Sequence, residues 1–313
     1  MADMKVLEIC AGAGGQSSGL ELAGFEHELA VEIDRDAAAT LRLNRPKWDV
    51  EETDVREISA KGYEGIDLVA GGVPCPPFSI AGKQLGADDE RDLFPEAMRL
   101  VSEATPKAVM LENVRGLAGA RFDPYRKSIL EELEKMGYVS DWRLLNSSDY
   151  GVPQLRPRFI LVALRKEYAD NFAWPDQVET PPTVGNTLHR LMAADGWVGA
   201  DAWAAGAQKI APTLVGGSKM HGGADLGPTR AKKAWEALGV DGRGIADAPP
   251  SADHPFDFRP RLTNQMAARI QGFGPEWQFS GKKTSTYRQI GNAFPPPVAR
   301  AIGISIATSI SCA

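Results

Sequence analysis

The residue best suited to do chemistry in this chain is a cysteine that stands between prolines. Residues 71–79 read GGVPCPPFS, and the thiol belongs to Cys75. Prolines on both sides stiffen the backbone and fix the place at which the thiol is presented. Because an ordinary thiol has a pKa of about 8.5, a nucleophilic role requires surroundings that favour the thiolate. We interpret Cys75 as a candidate nucleophile, and the alternative is an inert, small buried residue.

Three more side chains that could take part in chemistry lie in two later segments. Glu112 lies in LENVRGL, and a carboxylic acid beside a nucleophile can donate a proton or hydrogen-bond a ring nitrogen. Arg156 and Arg158 in YGVPQLRPRF are two residues apart, so on a strand they share one face. Two guanidinium groups on one face suit a phosphate or a carbonyl oxygen. Solvated surface charge is the alternative for all three.

An alternation of apolar and amphipathic segments must position these residues. Strands are predicted at MKVLEICAG, HELAVEID, a stretch ending near Asp54, IDLVAGGVP, KAVMLENV and RFILVALRK. Helices are predicted at GQSSGLELAGF, RDAAATLRLNRP, DLFPEAMRLVSEATP, YRKSILEELEKMGY, TNQMAARIQGF and PPPVARAIGISIATSI, with Thr263 and Gly272 bounding the fifth. This alternation predicts an α/β fold with a doubly wound, mostly parallel, Rossmann-like sheet that is covered on both faces.

The pattern dissolves in residues 173–259, which we call the loop-rich segment. It contains many glycines and prolines, and TRAKKAWEALGV is the one short helix predicted within it. We therefore expect two domains, one formed by residues 1–172 together with 260–313 and a smaller one formed by 173–259.

The charge distribution hints at a polyanionic partner for the second half of the chain. The net charge is −6, yet residues 1–150 hold 17 basic and 28 acidic side chains, whereas residues 151–313 hold 18 and 13. A random spread of surface charge explains this equally well. The candidate cations of the loop-rich segment are Lys209, Lys219, His221, Arg230, Lys232, Lys233 and Arg243.

Several classes of protein are disfavoured by composition. Three widely separated cysteines do not predict disulfides or a metal site, and they suit a reducing cytoplasm. The sequence has no apolar run of membrane-spanning length, and its N-terminus does not resemble a secretory leader. We expect a cytoplasmic protein without a metal and without a membrane partner.

A glycine-rich turn predicts a ligand site at the edge of the sheet. EICAGAGG follows the first strand, and such turns lie at the carboxyl ends of parallel strands, where nucleotide-like ligands bind. Glu32 ends the second strand and can accept hydrogen bonds from ribose, while Asp54 can meet an adenine amino group. Ser17 occupies the third glycine position of the dinucleotide fingerprint, so an adenosyl ligand without a pyrophosphate fits better. A tight turn with no ligand is the alternative.

The ordered set of motifs resembles the cytosine-5 DNA methyltransferases. The motifs are EICAGAGG, VEIDRDA, TDVREI, GGVPCPPFS, LENVRGL, YGVPQLRPRF, RLTNQMAARIQGF and YRQIGNAFPPPVARAIG, with a variable region before RLT. The resemblance covers nearly the whole chain. It implies a cofactor-binding and catalytic domain, a small target-recognition domain at residues 173–259, and the bacterial restriction-modification type.

The resemblance also implies roles for individual residues. S-adenosylmethionine would be bound by Cys10, Gly12, Ala13, Gly15, Glu32, Ile33, Asp54, Val55, Pro74, Leu93, Asn292 and Ala293. Cys75 would add to carbon 6 of a cytosine flipped out of double-stranded DNA, and Glu112 would contact ring nitrogen 3. Arg158 would contact the cytosine carbonyl, and Arg156 would support the flipped nucleotide or its loop. Ser79 and Arg91 would touch DNA.

The resemblance further implies a monomer that works in the bacterial cytoplasm on the nucleoid, with a cognate restriction endonuclease as a possible partner. Three other functions remain open. They are the same chemistry on RNA, DNA binding without catalysis, and a nucleotide-dependent oxidoreductase. Intact Cys75, Glu112 and Arg158 argue against the second, and the missing third glycine argues against the third.

Overall fold

The computed structural model describes residues 4–74, 92–178, 180–217 and 223–312. Its strands form one sheet in the order β3-β2-β1-β4-β5-β7-β6. Their bounds are β1 (Met4–Ile9), β2 (Phe25–Val31), β3 (Val50–Glu51), β4 (Leu68–Gly72), β5 (Ala108–Val114), β6 (Tyr138–Asn146) and β7 (Pro157–Arg165).

The helices follow the strands in alternation through the first half of the chain. Their bounds are α1 (Gly15–Leu22), α2 (Arg35–Asn44), α3 (Phe94–Ala104), α4 (Asp123–Lys135), α5 (Lys166–Ala169), α6 (Val184–Met192), α7 (Ala200–Gly206), α8 (Thr229–Glu236), α9 (Asn264–Gln271), α10 (Lys283–Asn292) and α11 (Pro296–Ser311). The predicted bounds of α9 are confirmed, because Thr263 caps its N-terminus and Gly272 ends it with φ 92°.

The prediction of a doubly wound, mostly parallel sheet is confirmed. β1 pairs in parallel with β2 and β4, β4 pairs in parallel with β5, and β7 runs antiparallel to both of its neighbours. Successive side chains of the central strands are buried on opposite faces. Leu7 and Ile9 pack with α3 and α4, while Val6 packs with α1 and α11.

β6 is the strand that the sequence analysis missed. It lies at the end of the sheet, and most of its side chains are exposed or only partly buried. Its sequence YVSDWRLLN therefore lacks the continuous apolar run that identified the central strands.

The loop-rich segment contains more helix than the single one predicted. α6 and α7 also form, and Thr183 caps α6 through its side chain. These helices are short, and Gly185 packs against the carbonyl of Ala204, where a Cβ would lie 2.2 Å from the oxygen. α6 is amphipathic, since Val184, Leu188 and Met192 are buried four residues apart, and this periodic signal was present in the sequence.

Buried side chains of the loop-rich segment belong to the same hydrophobic cluster as Leu41 of α2 and Ile290 of α10. The two-domain division stays a prediction. In the described ranges, no helix is long and apolar enough to cross a membrane.

Candidate functional site

A cavity of about 550 Å³ opens at the carboxyl ends of the parallel strands. We call it the edge cavity. All twelve residues that the sequence analysis assigned to the cofactor line it, namely Cys10, Gly12, Ala13, Gly15, Glu32, Ile33, Asp54, Val55, Pro74, Leu93, Asn292 and Ala293. Glu8, Ser285, Arg288 and Gln289 line it as well, and the sequence analysis did not assign them a contact.

Glu32 is one of the buried carboxylates of the edge cavity. One oxygen accepts the backbone N–H of Gly12 at 2.7 Å, and the other accepts that of Asp34 at 2.7 Å. Burial raises the pKa of Glu32, and these N–H groups oppose the rise. Each carboxylate oxygen has a second lone pair, so the group can still accept hydrogen bonds from a diol.

The glycines of the β1–α1 turn have two different roles. Gly12 has φ 58°, and no atom lies within 4 Å of the position that its Cβ would take, so the backbone there is open to a ligand. By contrast, a Cβ on Gly14 would lie 2.4 Å from Trp277 Cζ2, and one on Gly15 would lie 2.2 Å from the carbonyl oxygen of Phe294. Gly14 and Gly15 therefore allow Trp277 and Phe294 to pack against the turn, where any side chain would clash with them.

The rest of the lining includes an exposed apolar side chain and several acidic groups. Ile33 is 66% exposed, which is unusual for an isoleucine, and it offers an apolar surface beside Glu32. Asp54 accepts hydrogen bonds from the backbone N–H and the guanidinium of Arg56. Glu8 is fully buried, and its carboxylate lies 2.7 Å from the imidazole of His27. An acidic lining suits a cationic ligand better than a pyrophosphate.

Cys10 lies in the edge cavity, yet its thiol is unsuited to nucleophilic attack. Burial and the nearby carboxylates of Glu32 and Asp54 raise the pKa of Cys10 to about 12. The thiol is therefore protonated near neutral pH, and a thiol is a poor nucleophile.

Glu112 and Arg158 meet at the same edge of the sheet. Because β7 is antiparallel, it begins where β5 ends, and Val114 pairs with Arg158. The guanidinium Nε of Arg158 lies 2.6 Å from a carboxylate oxygen of Glu112, and both side chains are largely buried. Glu112 lines the edge cavity, so this ion pair places a carboxylate and a guanidinium beside the cofactor residues.

The flanks of the cysteine segment also meet at the edge cavity. The backbone N–H of Leu93 donates to the carbonyl of Pro74 at 3.3 Å, and both residues line the cavity. Asn113, a residue that the sequence analysis did not single out, donates its side-chain amide to the carbonyl of Val73 at 2.8 Å. Cys75, Ser79, Arg91, Lys219 and His221 lie outside the described residues.

Arg156 is not in contact with the edge cavity, although the sequence analysis grouped it with the catalytic residues. Its guanidinium is completely buried and donates to the carbonyls of Leu214 at 2.8 Å, Gly291 at 2.8 Å and Ala293 at 3.0 Å. Burial and the nearby charge of Arg158 lower the pKa of Arg156. Its contacts join the loop-rich segment to the turn that lines the cavity. Arg156 therefore positions that turn.

Gln154 completes this tie and was also missed. Its side-chain Nε2 donates to Oε1 of Gln271 at 2.8 Å, and its Oε1 accepts the backbone N–H of Leu214 at 2.7 Å. Gln154 is buried, as is Arg156, and both lie between prolines. The sequence offered one signal for this role, because Gln154 and Arg156 are polar residues at alternate positions of a short segment bounded by prolines.

The described cations of the loop-rich segment are either exposed or held in ion pairs. Arg230, Lys233 and Lys209 are exposed, and Lys232 forms an ion pair with Asp225 at 2.7 Å. Arg243 forms an ion pair with Asp241, whose carboxylate also contacts Arg261 at 3.0 Å. Asp241 and Arg261 were not assigned a function from the sequence.

The edge cavity fits an adenosyl sulfonium ligand by its own chemistry. Glu32 can accept ribose hydroxyls, Ile33 offers an apolar face for adenine, and the open Gly12 backbone leaves room for the ligand. The described residues contain no group of side chains that could hold a metal ion. A carboxylate and a guanidinium lie beside this space, as an acid–base reaction on a ring would require.

Comparison with known proteins gives consistent matches over almost the whole chain. Residues 4–308 match the family described as C-5 cytosine-specific DNA methylase. The chain is 61% identical to the type II methyltransferase M.NaeI of Lentzea aerocolonigenes, over 99% of this chain and 76% of that protein. It is 55% identical to the type II methyltransferase M.NgoMIV of Neisseria gonorrhoeae, over 96% of each.

Solved structures agree with the fold. A prophage-encoded Escherichia coli protein assigned as a DNA modification methyltransferase superposes with a TM-score of 0.69 at 25% identity, over 98% of this chain and 99% of that one. DNMT2 of Spodoptera frugiperda superposes with a TM-score of 0.66 at 16% identity, over 98% of this chain and 99% of that one, which supports the fold alone.

Proposed function

The chain belongs to the family of C-5 cytosine-specific DNA methylases, and we propose that it methylates one cytosine, flipped out of the duplex, in a short specific site of double-stranded DNA. It is an S-adenosylmethionine-dependent enzyme, and this cofactor supplies the methyl group. The observation that carries the proposal is the meeting of Glu112 and Arg158 with twelve expected cofactor residues at one edge of the sheet.

We assign the cofactor to the edge cavity. The carboxylate of Glu32 would accept the ribose hydroxyls, and Ile33 would cover one face of the adenine. Asp54 and Val55 would meet the adenine edge, while the acidic lining would favour the positive charge of the sulfonium. Asn292 and Ala293 would close the cavity from the turn that Arg156 holds.

The target cytosine would be activated by three side chains. Cys75, the residue after Pro74, would add its sulfur to carbon 6, while Glu112 would hydrogen-bond or protonate ring nitrogen 3 so that negative charge does not build up in the ring. Arg158 would hold the cytosine carbonyl and orient Glu112 through their ion pair. Carbon 5 would gain the methyl group, which leaves S-adenosylhomocysteine as the product of the cofactor. Carbon 5 would then lose its proton to a solvent base, and the electron pair of that C–H bond would re-form the double bond to carbon 6 and expel the sulfur of Cys75 as a thiolate.

DNA would lie between the catalytic domain, residues 1–172 with 260–313, and the loop-rich segment as the target-recognition domain. Lys219, His221, Arg230, Lys232, Lys233 and Arg243 are the proposed DNA contacts there, and Ser79 and Arg91 are those of the catalytic domain. By analogy with relatives named type II methyltransferases, the methyl group would protect DNA from a cognate endonuclease in a bacterial cytoplasm, on the nucleoid.

The test is methyl transfer by the purified protein from tritiated S-adenosylmethionine to plasmid DNA and, separately, to transfer RNA. We expect label in DNA only, and bisulfite sequencing should place 5-methylcytosine at one short site. Cys75→Ser should abolish transfer, whereas Cys312→Ser should not, since Cys312 is exposed in the last turn of the chain. Label in RNA alone, or full activity of Cys75→Ser, would contradict the proposal.

A further inference from the structure

The loop-rich segment contains a carboxylate that holds two arginines at once. Asp241 accepts the Arg243 backbone N–H at 3.0 Å and Nε at 2.8 Å on one oxygen. Its other oxygen accepts Arg243 Nη2 at 3.1 Å and Arg261 Nε at 3.0 Å. The Asp241 side chain is 11% exposed, whereas the Arg243 and Arg261 side chains are 76% and 46% exposed. A buried anion thus fixes two guanidinium groups that face solvent.

The hydrogen bonds determine which part of each guanidinium remains available. Arg243 binds Asp241 through its Nε and Nη2 atoms, so the edge formed by Nη1 and Nη2 is directed away from the carboxylate. Arg261 binds Asp241 through Nε, so its terminal nitrogens are not used in this contact, and its side chain is 46% exposed. Gly244 makes room for this arrangement, because a Cβ there would lie 3.2 Å from Arg261 Nη1.

A short series of contacts connects these arginines to the edge cavity. The side chain of Asn292, which lines the cavity, donates to the carbonyl of Gly217 at 3.2 Å. A Cβ built on Gly227 would lie 3.8 Å from Val215 Cγ2, and the backbone N–H of Leu226 donates to the carbonyl of Gly242 at 3.0 Å. Gly242 precedes Arg243, so Arg243 belongs to the part of the loop-rich segment that continues from the cavity wall, and Arg261 follows the segment by two residues.

The charge of the cluster favours reading of bases over binding of phosphates. Two guanidinium groups around one carboxylate carry a net charge of +1, which weakens the sequence-independent attraction to the DNA backbone. A guanidinium fixed in one orientation with a free two-nitrogen edge matches the O6 and N7 acceptors of guanine in the major groove. Phosphate binding would need neither the fixed orientation nor the neutralising carboxylate.

We propose that Asp241 is a positioning residue that presents Arg243 and Arg261 as a pair of guanine readers in the DNA site. This inference rests on the proposed function and deepens it. Asp241 touches no base itself, and the two arginines determine which base pairs are accepted.

The test begins with the wild-type protein expressed in cells that carry a plasmid library with randomised sequence, whose methylated site is read by bisulfite sequencing. The same measurement is made on Arg243→Lys, Arg261→Lys and Asp241→Asn, with Arg190→Lys as a matched exposed cation of the loop-rich segment. The kcat/KM is then measured on duplexes that carry one substituted guanine each. Thermal unfolding of each variant verifies that it is folded.

We expect Arg243→Lys and Arg261→Lys each to lose discrimination at one guanine, by about 5- to 150-fold, with the other positions unchanged. Asp241→Asn should weaken discrimination at both guanines, and Arg190→Lys at neither. A uniform loss of rate on all duplexes, with a shallower salt dependence, would indicate phosphate contacts and overturn the inference. Unchanged discrimination in both arginine variants would overturn it too. If the wild type methylates no DNA, it is the proposed function that fails.

Discussion

The edge cavity and the loop-rich segment fix their charged side chains in different ways. Around the cavity, backbone N–H groups hold Glu32 and backbone carbonyls hold Arg156, while Glu112 and Arg158 hold each other as a side-chain ion pair. At the loop-rich segment, side-chain pairs of this second kind are used, as Asp241 holds Arg243 and, two residues beyond the segment, Arg261 near the surface. Much of the cavity geometry is therefore built into the backbone, whereas the arginine geometry depends on a few replaceable residues.

This difference is what the two proposed tasks, reaction at the cytosine and choice of the DNA site, would require. The reaction at the cytosine ring requires the same distances whatever the DNA sequence, and a backbone framework keeps such distances constant. The choice of DNA site requires contacts that can be exchanged without disturbing the sheet. Arg156 lies where the two regions meet, because it bonds Leu214 on one side and Gly291 and Ala293 on the other.

The largest expected effect is at Glu112, where a substitution should slow the reaction without changing which DNA site is selected. Glu112→Gln removes the carboxyl group proposed to contact ring nitrogen 3 but preserves the shape of the side chain, so kcat should fall about 100- to 10,000-fold on every duplex. The KM for S-adenosylmethionine should change little. The measurement is single-turnover methyl transfer on the cognate duplex and on duplexes with one substituted guanine. Glu26→Gln, an exposed carboxylate on β2, is the control and should be unaffected. A loss of rate in Glu112→Gln on only some of the duplexes would contradict the assignment of catalysis and of site selection to different residues.

The second prediction concerns the two arginines of one strand segment. Arg156→Lys cannot reach all three carbonyls, so the free energy of unfolding should fall by about 3 kcal/mol or more. Arg158→Lys keeps the charge beside Glu112 and should lose activity while stability changes by less than about 1 kcal/mol. Urea unfolding and methyl transfer are measured on both variants. Equal losses of stability would contradict the different roles assigned to them.

The third prediction tests how rigidly the glycine turn is packed. Gly14 and Gly24 both have positive φ, 84° and 96°, but only the Cβ position of Gly14 meets Trp277. Alanine at Gly24 should cost about 1 kcal/mol through its backbone conformation. Alanine at Gly14 should cost about 1–3 kcal/mol more, because it also displaces the indole. Thermal and urea unfolding compare the two, and similar losses would mean that the turn tolerates repacking.

The smallest expected effect concerns Cys10, which should resist alkylation. With a pKa of about 12, Cys10 holds a thiolate fraction on the order of one in ten thousand at pH 8. Iodoacetamide should therefore alkylate the exposed Cys312 and leave Cys10 unmodified in the native protein. Peptide mapping by mass spectrometry measures both sites. Rapid alkylation of Cys10 would mean that the cavity is more open and less acidic than its carboxylates imply.

The sequence predicts the residues of the edge cavity better than the cluster of Asp241, Arg243 and Arg261, for physical reasons. Central strands carry apolar runs, and their ends must meet at one edge, so Glu32, Asp54 and Glu112 could be placed from local pattern alone. The exposed strand β6 has no such run. The burial of Arg156 could not be predicted, because its partners lie 58 to 137 residues away. The role of Asp241 depends equally on Arg261, which follows 20 residues later.

The central claim is that Cys75 attacks the cytosine presented at the edge cavity. The most direct measurement uses a cognate duplex whose target cytosine carries fluorine at carbon 5, so that no proton can be lost after methylation and the covalent adduct persists. With S-adenosylmethionine present, wild type and Cys312→Ser should form a denaturation-resistant protein–DNA complex, and peptide mapping should place the DNA on Cys75. A complex formed by Cys75→Ser, or DNA attached to Cys10, would contradict the account.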